Sequence, residues 1–193
     1  MKNSRPSLLH SDVVMLLTVA VVILLDQLTK HWITQYFTGP NPGQPIHIVG
    51  NVLLLQYVQN TGVAFSLLEG QGVLFLLIGA AMLAIAWLYW RMRRTASRLL
   101  AIAFGMVLGG AASNNLIDRL SHTYVVDFIH FQIPGIFNFA VFNVADSAIT
   151  VGVVLLALQL WVHESRQQGH TDAPADTQEK LSERGSQELR IRQ

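Results

Sequence analysis

The chain has 193 residues, of which 51% are hydrophobic and only 13% charged, with a net charge of +1 and no cysteine. Soluble domains carry roughly 25% charged residues, so a one-domain length this poor in charge points to a membrane protein. The near-neutral balance offers no basic surface for nucleic acid, and the lack of cysteine removes disulfides, thiolate nucleophiles and cysteine metal sites.

The first apolar run, Val13 to Leu25, follows Lys2 and Arg5 in the manner of a secretion signal. Asp26-Gln27-Leu28-Thr29-Lys30 then stands where a small-residue cleavage site would be, and more apolar runs follow. A retained helix over about 12–33 is therefore expected. Gly39-Pro40-Asn41-Pro42-Gly43-Gln44-Pro45 excludes helix. Ile46 to Val58 is rich in Ile, Val, Leu and Tyr and is broken by Gly50-Asn51, which reads as a hairpin on the membrane surface. Further spans are expected at about 72–90, 99–120 and 139–162, each near the ~20 apolar residues that crossing requires. Between the last two, Phe128, Ile129, Phe131, Ile133, Ile136 and Phe137 surround Pro134-Gly135, an apolar loop expected to dip into the interface. Residues 1–162 thus form an integral-membrane domain, and 163–193 a polar tail expected to be cytoplasmic and disordered.

Lys and Arg set the orientation. Lys2, Arg5, Arg91, Arg93, Arg94 and Arg98 flank one side of these spans, whereas 36–71 and 121–140 contain neither residue. Both termini are therefore expected in the cytoplasm, with the two uncharged connections outside.

Ionisable groups inside a span cost at least ~2.5–3.5 kcal/mol on insertion scales, so Asp26, Lys30, Asp118, Arg119 and Asp146 need a physical reason. At about 1.5 Å per residue, Asp26 lies about 21 Å along the first helix, Asp118 about 28 Å along the third, and Asp146 about 10 Å below the outer start of the fourth. All fall in the outer half of a core about 30 Å thick, as a shared site or simple snorkelling would require. Asp26 and Lys30 are four apart and suit an ion pair. Asn115 and Arg119 are also four apart, and Asn143 and Asp146 are three apart. Neither Asp127 nor Asp146 has a Lys or Arg close by in sequence. Gly105, Gly109, Gly110, Ala111 and Ala112 permit close approach of another backbone, either a neighbouring helix or a substrate.

Five blocks in order resemble the lipoprotein signal peptidases, or signal peptidase II: Asp26-Gln27-Leu28-Thr29-Lys30, Asn60-Thr61-Gly62-Val63-Ala64-Phe65-Ser66, Gly109 to Arg119, Val125-Val126-Asp127-Phe128, and Phe142-Asn143-Val144-Ala145-Asp146-Ser147. The resemblance spans about Val13 to Val162. It implies an all-α membrane protein of four transmembrane helices with a small extracytoplasmic β-cradle and a short interfacial helix, set in the bacterial cytoplasmic membrane. Asp127 and Asp146 would be the catalytic aspartates. Asn60, Asn115, Arg119 and Asn143 would bind substrate, with Asp26, Lys30 and Asp118 supporting the site. Ala111 and Asn114 stand where the family usually has glycine. The implied substrate is a prolipoprotein carrying a diacylglyceryl-modified cysteine, cut just before that cysteine by a monomer needing no cofactor.

Two carboxylates and a water suffice for peptide hydrolysis, because close carboxylates split their proton affinities into an acid and a base. Rival readings are a small transporter, which an internal repeat would support, and an assembly subunit whose charges pair with a partner's helices. A zinc site at His122, Asp127 and His130 and serine catalysis at Ser113 or Ser147 are weaker.

Overall fold

A computed structural model describes residues 10–62 and 71–171. Lys2, Arg5, Val63 to Ser66 and the tail beyond Thr171 lie outside the described residues. The first helix, α1, runs His10–Thr38. Strands β1 (Ile46–Val49) and β2 (Leu53–Asn60) follow. Next come α2 (Gln71–Met92), α3 (Arg98–Ala112), a π-helical segment (Ser113–Asp118) and the short α4 (Arg119–His122). Strands β3 (Val125–Ile133) and β4 (Phe137–Asn138) precede α5 (Val144–Thr171). The compact unit ends at Leu156, and residues 157–171 form a separate helical stretch. Among the described residues, two helical runs, His10–Thr38 and Arg98–His122, are long and apolar enough to cross a membrane, and Leu76–Met92 and Val144–Gln159 are shorter apolar helices.

The strands form one antiparallel sheet in the order β1-β2-β3-β4. The expected hairpin is present, turning at Gly50, whose φ of +49° suits a residue without Cβ. The second outer connection, expected as an apolar loop dipping into the interface, is strand and turn. Its β-branched and aromatic residues pair with β2, Leu53 opposite Phe131 and Asn60 opposite Val125. The reversal falls at Pro134-Gly135, where Gly135 has a φ of +78°.

Two helix boundaries also differ from those expected. Helix α5, expected over about 139–162, begins at Val144 and not near Phe139, because Phe142 is held extended by exchanging backbone hydrogen bonds with Ile129, at 2.8 and 3.0 Å. At its far end the helix passes Val162 and reaches Thr171. Loss of apolar character ends a membrane span, but Glu164, Arg166, Gln167 and Gln168 are good helix formers.

The small residues of α3 serve helix packing. A Cβ on Gly105 would meet Thr18 at 2.7 Å, and one on Gly109 would meet Val22 at 3.0 Å, so α1 lies close along that face. A Cβ on Gly110 would strike the Ala145 carbonyl oxygen at 2.5 Å and Ile149 at 2.8 Å. Gly110 therefore seats the first turn of α5. Gly110→Ala is expected to destabilise the protein by about 1–3 kcal/mol through overpacking. Gly79 faces open space, and Gly79→Ala is expected to stabilise α2 by about 0.5–1 kcal/mol. Thermal unfolding in detergent measures both, and equal melting points for the two variants would contradict this packing. Tyr89, Leu100, Ala101 and Phe104 form one buried cluster, and Ile33, Val126 and Phe128 a second beneath the sheet.

Candidate active site

Helix α5 starts with a reciprocal cap. Asn143 Oδ1 accepts the backbone N–H of Asp146 at 2.9 Å, and Asp146 Oδ2 accepts the backbone N–H of Asn143 at 3.1 Å. Their spacing of three thus forms a capping box, and it fixes the Asp146 carboxylate at the positive end of α5. Asp26, fully buried on α1, accepts the next free donor, the backbone N–H of Ala145, at 2.8 Å.

Asp127 reaches the same place from the sheet. Asn60 opposes Val125, so Asn60 and Asp127 are diagonal neighbours on one face of the β2–β3 pair. Asn60 Nδ2 donates to Asp127 Oδ2 at 2.9 Å, and Asn143 Nδ2 donates to Asp127 Oδ1 at 2.7 Å. Asn143 therefore holds both carboxylates, one by its side-chain amide and one by its backbone.

Beneath the pair lies a buried polar cluster. Lys30 Nζ donates to Asp26 at 2.5 Å, Asp118 at 2.7 Å and Asn114 Oδ1 at 2.6 Å, which uses all three of its protons. Asp26 also accepts from Ser113 Oγ at 2.7 Å. Gln27 Nε2 donates to Ser113 Oγ at 3.0 Å and to Asp118 Oδ1 at 2.7 Å. The π-helical segment makes this possible, since i→i+5 closure brings residues five apart, here Ser113 and Asp118, to one face.

Asp127 is 2% exposed, and its carboxyl is pushed up to about 6. Burial is the main cause, and the Asp146 charge adds to it against the lowering hydrogen bonds of Asn60 and Asn143. Four carboxylates, Asp26, Asp118, Asp127 and Asp146, surround the single ammonium of Lys30. That excess of negative charge also favours keeping a proton in the group.

Not every residue expected at the site joins this network. Asn115 donates to the Ala111 carbonyl of its own helix at 3.0 Å. Arg119 lies against Gly62, whose added Cβ would sit 3.3 Å from a guanidinium nitrogen, and its buried Nε has no hydrogen-bond partner among the described residues. Gly62, at a φ of +78°, donates its N–H to Asn60 Oδ1 at 2.9 Å, which orients the Asn60 amide toward Asp127. His130 bonds Asn138 at 2.6 Å, and no cluster of three metal-binding side chains forms among the described residues. Gln27, Ser113 and Asn114 were not expected here. The signal for them was three consecutive polar residues, Ser113-Asn114-Asn115, inside an apolar span, with Gln27 one position from Asp26.

The family model for Signal peptidase (SPase) II matches residues 18–162. A lipoprotein signal peptidase of Geobacillus kaustophilus is 41% identical over 151 residues, covering 78% of this chain and 95% of that protein. One from Caulobacter vibrioides is 39% identical over 152 residues, covering 78% and 88%. Among solved structures, a bacterial membrane enzyme determined in meso at 1.9 Å superposes with a TM-score of 0.63 at 29% identity, covering 76% of this chain and 91% of that one. A second, at 2.3 Å, gives 0.64 at 28% identity, covering 79% and 90%. With a match this long, and with relatives this similar over nearly their whole length, the chain belongs to the signal peptidase II family.

Proposed function

We propose that this peptidase removes signal peptides from diacylglyceryl-modified prolipoproteins, cutting just before the lipidated cysteine, and that Asp127 and Asp146 activate the water. The single observation that carries the mechanism is Asn143, which bonds Asp127 at 2.7 Å and Asp146 at 3.1 Å and so gathers carboxylates from a strand and a helix around one point.

In this mechanism the pair shares one proton. The ionised aspartate takes a proton from water as the water oxygen attacks the scissile carbonyl carbon. Its protonated partner donates a hydrogen bond to the carbonyl oxygen and gives up that proton as the gem-diol forms. On collapse the newly ionised aspartate takes a proton from a gem-diol hydroxyl as the C=O re-forms, the C–N bond breaks, and the other carboxyl gives its proton to the leaving amine, which restores the shared proton. Asn60 at the end of β2, Arg119 at the start of α4 and Asn143 between the acids suit backbone carbonyls or a lipid ester as acceptors. Asn115 belongs to the same reading as a residue freed from Ala111 when substrate binds.

The same proposal takes α1, α2, the α3–α4 run and α5 as four spans, both termini cytoplasmic and the sheet outside. Its support is the cluster of Arg91, Arg93, Arg94 and Arg98 between α2 and α3, against no Lys or Arg in 36–71 or 121–140. A monomer without cofactor is sufficient for this chemistry.

The test is processing of a diacylated prolipoprotein by the purified protein in detergent, beside the same precursor without lipid. Cleavage of the lipidated form alone, leaving cysteine at the new N-terminus by mass spectrometry, is expected. Equal cleavage of both precursors would reject lipid-dependent recognition. The pH dependence follows from the Asp127 carboxyl at about 6. Loss of the shared proton lowers kcat/KM as pH rises through that region, a limb belonging to the pair. Bound substrate removes water, so the same limb in kcat is expected at higher pH. A kcat/KM flat from pH 5 to 8, roughly the range bracketing that value, would contradict it.

A further inference from the structure

We propose that Asn114 is a positioning residue that decides which aspartate starts as the base: its amide couples Lys30 to Asp146 and holds Asp146 as the carboxylate. This inference rests on the two-aspartate reading above and deepens it.

Asn114 is buried in the π-helical segment, and each of its polar atoms is engaged. Its Oδ1 accepts from Lys30 Nζ at 2.6 Å and from Asn143 Nδ2 at 3.1 Å. Its Nδ2 donates to Asp146 Oδ1 at 2.8 Å. The direction of the amide is dictated by chemistry. An ammonium has no acceptor, so Lys30 must face Oδ1, and the N–H side must then face Asp146. An ionised carboxylate accepts and does not donate, which complements that arrangement.

Asp146 is therefore served on both oxygens, Oδ1 by Asn114 and Oδ2 by the Asn143 backbone at 3.1 Å. It also stands in the first turn of α5, where negative charge is favoured. The donor from Asn114 is polarised by the ammonium behind it, so the chain Lys30, Asn114, Asp146 strengthens as a unit. Asp127 has neither a helix end nor a cation-backed donor. Its bonds come from Asn60 and Asn143, and Asn60 accepts from the neutral Gly62 N–H. With Asp146 the better-served carboxylate, the shared proton then resides on Asp127. The other charged groups around Asp146 are Asp26 and Lys30 from α1, Asp118 from the π-helical segment and Asp127 from β3. Lys30 spends its remaining bonds on Asp26 and Asp118, so its hydrogen-bonded route to Asp146 runs through Asn114.

Initial rates across pH, with kcat and KM separated, test this on the diacylated precursor for wild type, Asp146→Asn, Asn114→Leu, Asn114→Asp and Asn114→Ser. Asn114→Leu removes the donor, so kcat is expected to fall about 10- to 100-fold with KM little changed. Its acidic limb moves to higher pH, because Asp146 then takes up a proton more readily. Asn114→Asp still accepts from Lys30 but donates to Asp146 only when protonated, so its activity is expected to survive at low pH and vanish earlier than wild type as pH rises. Asn114→Ser, which both donates and accepts, is expected to keep the wild-type profile at reduced rate. If the Leu variant does not fold, the Asp and Ser variants decide. A wild-type-shaped profile in Asn114→Asp overturns the assignment, whatever its amplitude. That outcome together with an inactive Asp146→Asn rejects the role of Asn114 alone, whereas an active Asp146→Asn rejects the two-aspartate reading and this inference with it.

Discussion

Asp127→Asn and Asp146→Asn are each expected to lower prolipoprotein cleavage by about 10³- to 10⁴-fold or more while the protein still folds. A positioned acid or base contributes ~10²–10⁴ to rate, and in the proposed mechanism each aspartate serves in turn as both. Groups acting as a unit lose most of their effect when one is removed, so the double variant is expected to be scarcely worse than either single one. Gel-shift processing of the diacylated precursor reads this directly. Near-normal processing by either single variant, or a double variant far below both, would contradict a shared water.

The same substitution separates chemistry from stability. Asp127 is raised from an ordinary carboxyl to about 6 in the folded protein. A folded-state value above the unfolded one means that its stabilising contribution is full at low pH and is lost as pH rises from about 4 through about 6. Neutral asparagine removes that loss, a gain on the order of 1–3 kcal/mol. It also has one acceptor oxygen where Asn60 and Asn143 present two donors, which costs a similar ~1–3 kcal/mol. The two effects oppose, and the melting point at neutral pH is expected to stay close to wild type, within about 1 kcal/mol of stability.

Lys30→Met is expected to give the largest loss of stability, about 3–5 kcal/mol. Lys30 is 4% exposed and sits between Asp26 and Asp118, which are themselves buried. Removing the cation leaves two carboxylates without their counter-charge in a site closed to water. It also frees the Asn114 amide. Poor yield of folded protein and a sharply lowered melting point in detergent are expected, with activity lost as a consequence. Adding Asp118→Asn to Lys30→Met is expected to recover part of the stability, because one uncompensated charge is then gone. A melting point for Lys30→Met equal to that of wild type would show that the ion cluster is not structural.

These two outcomes divide the polar residues into groups with different physics. Asp127 and Asp146 lie on a sheet and on a helix end, where neutralisation preserves shape. Asp26, Lys30 and Asp118 bind α1 to the π-helical segment and to the start of α5, through Ser113, Gln27 and the Ala145 N–H. A membrane protein has little hydrophobic force between its helices, so such hydrogen-bonded charge clusters and close glycine contacts carry much of the packing. Gly110 and Asp26 act together here, one seating the first turn of α5 sterically and the other capping it electrically.

Sequence alone determined the features that depend on composition and short-range pattern. Long apolar runs require helix, Gly50-Asn51 between β-prone residues requires a hairpin, and the five motif blocks identify the family. The spacing of Asn143 and Asp146 even contains their capping box, since that interaction closes within one turn. What only the tertiary structure decided is which way the polar side chains face. Ser113-Asn114-Asn115 reads the same whether the backbone closes i→i+4 or i→i+5, yet the π-helical closure turns Ser113, Asn114 and Asp118 inward and leaves Asn115 bonded to its own helix. The apolar connection around Pro134 became strand and not an irregular loop because β2 offered it a partner edge. The late start of α5 came from Phe142 pairing with Ile129. Each of these choices is settled by a neighbour far away in sequence, and local preference differs too little between the alternatives to select one.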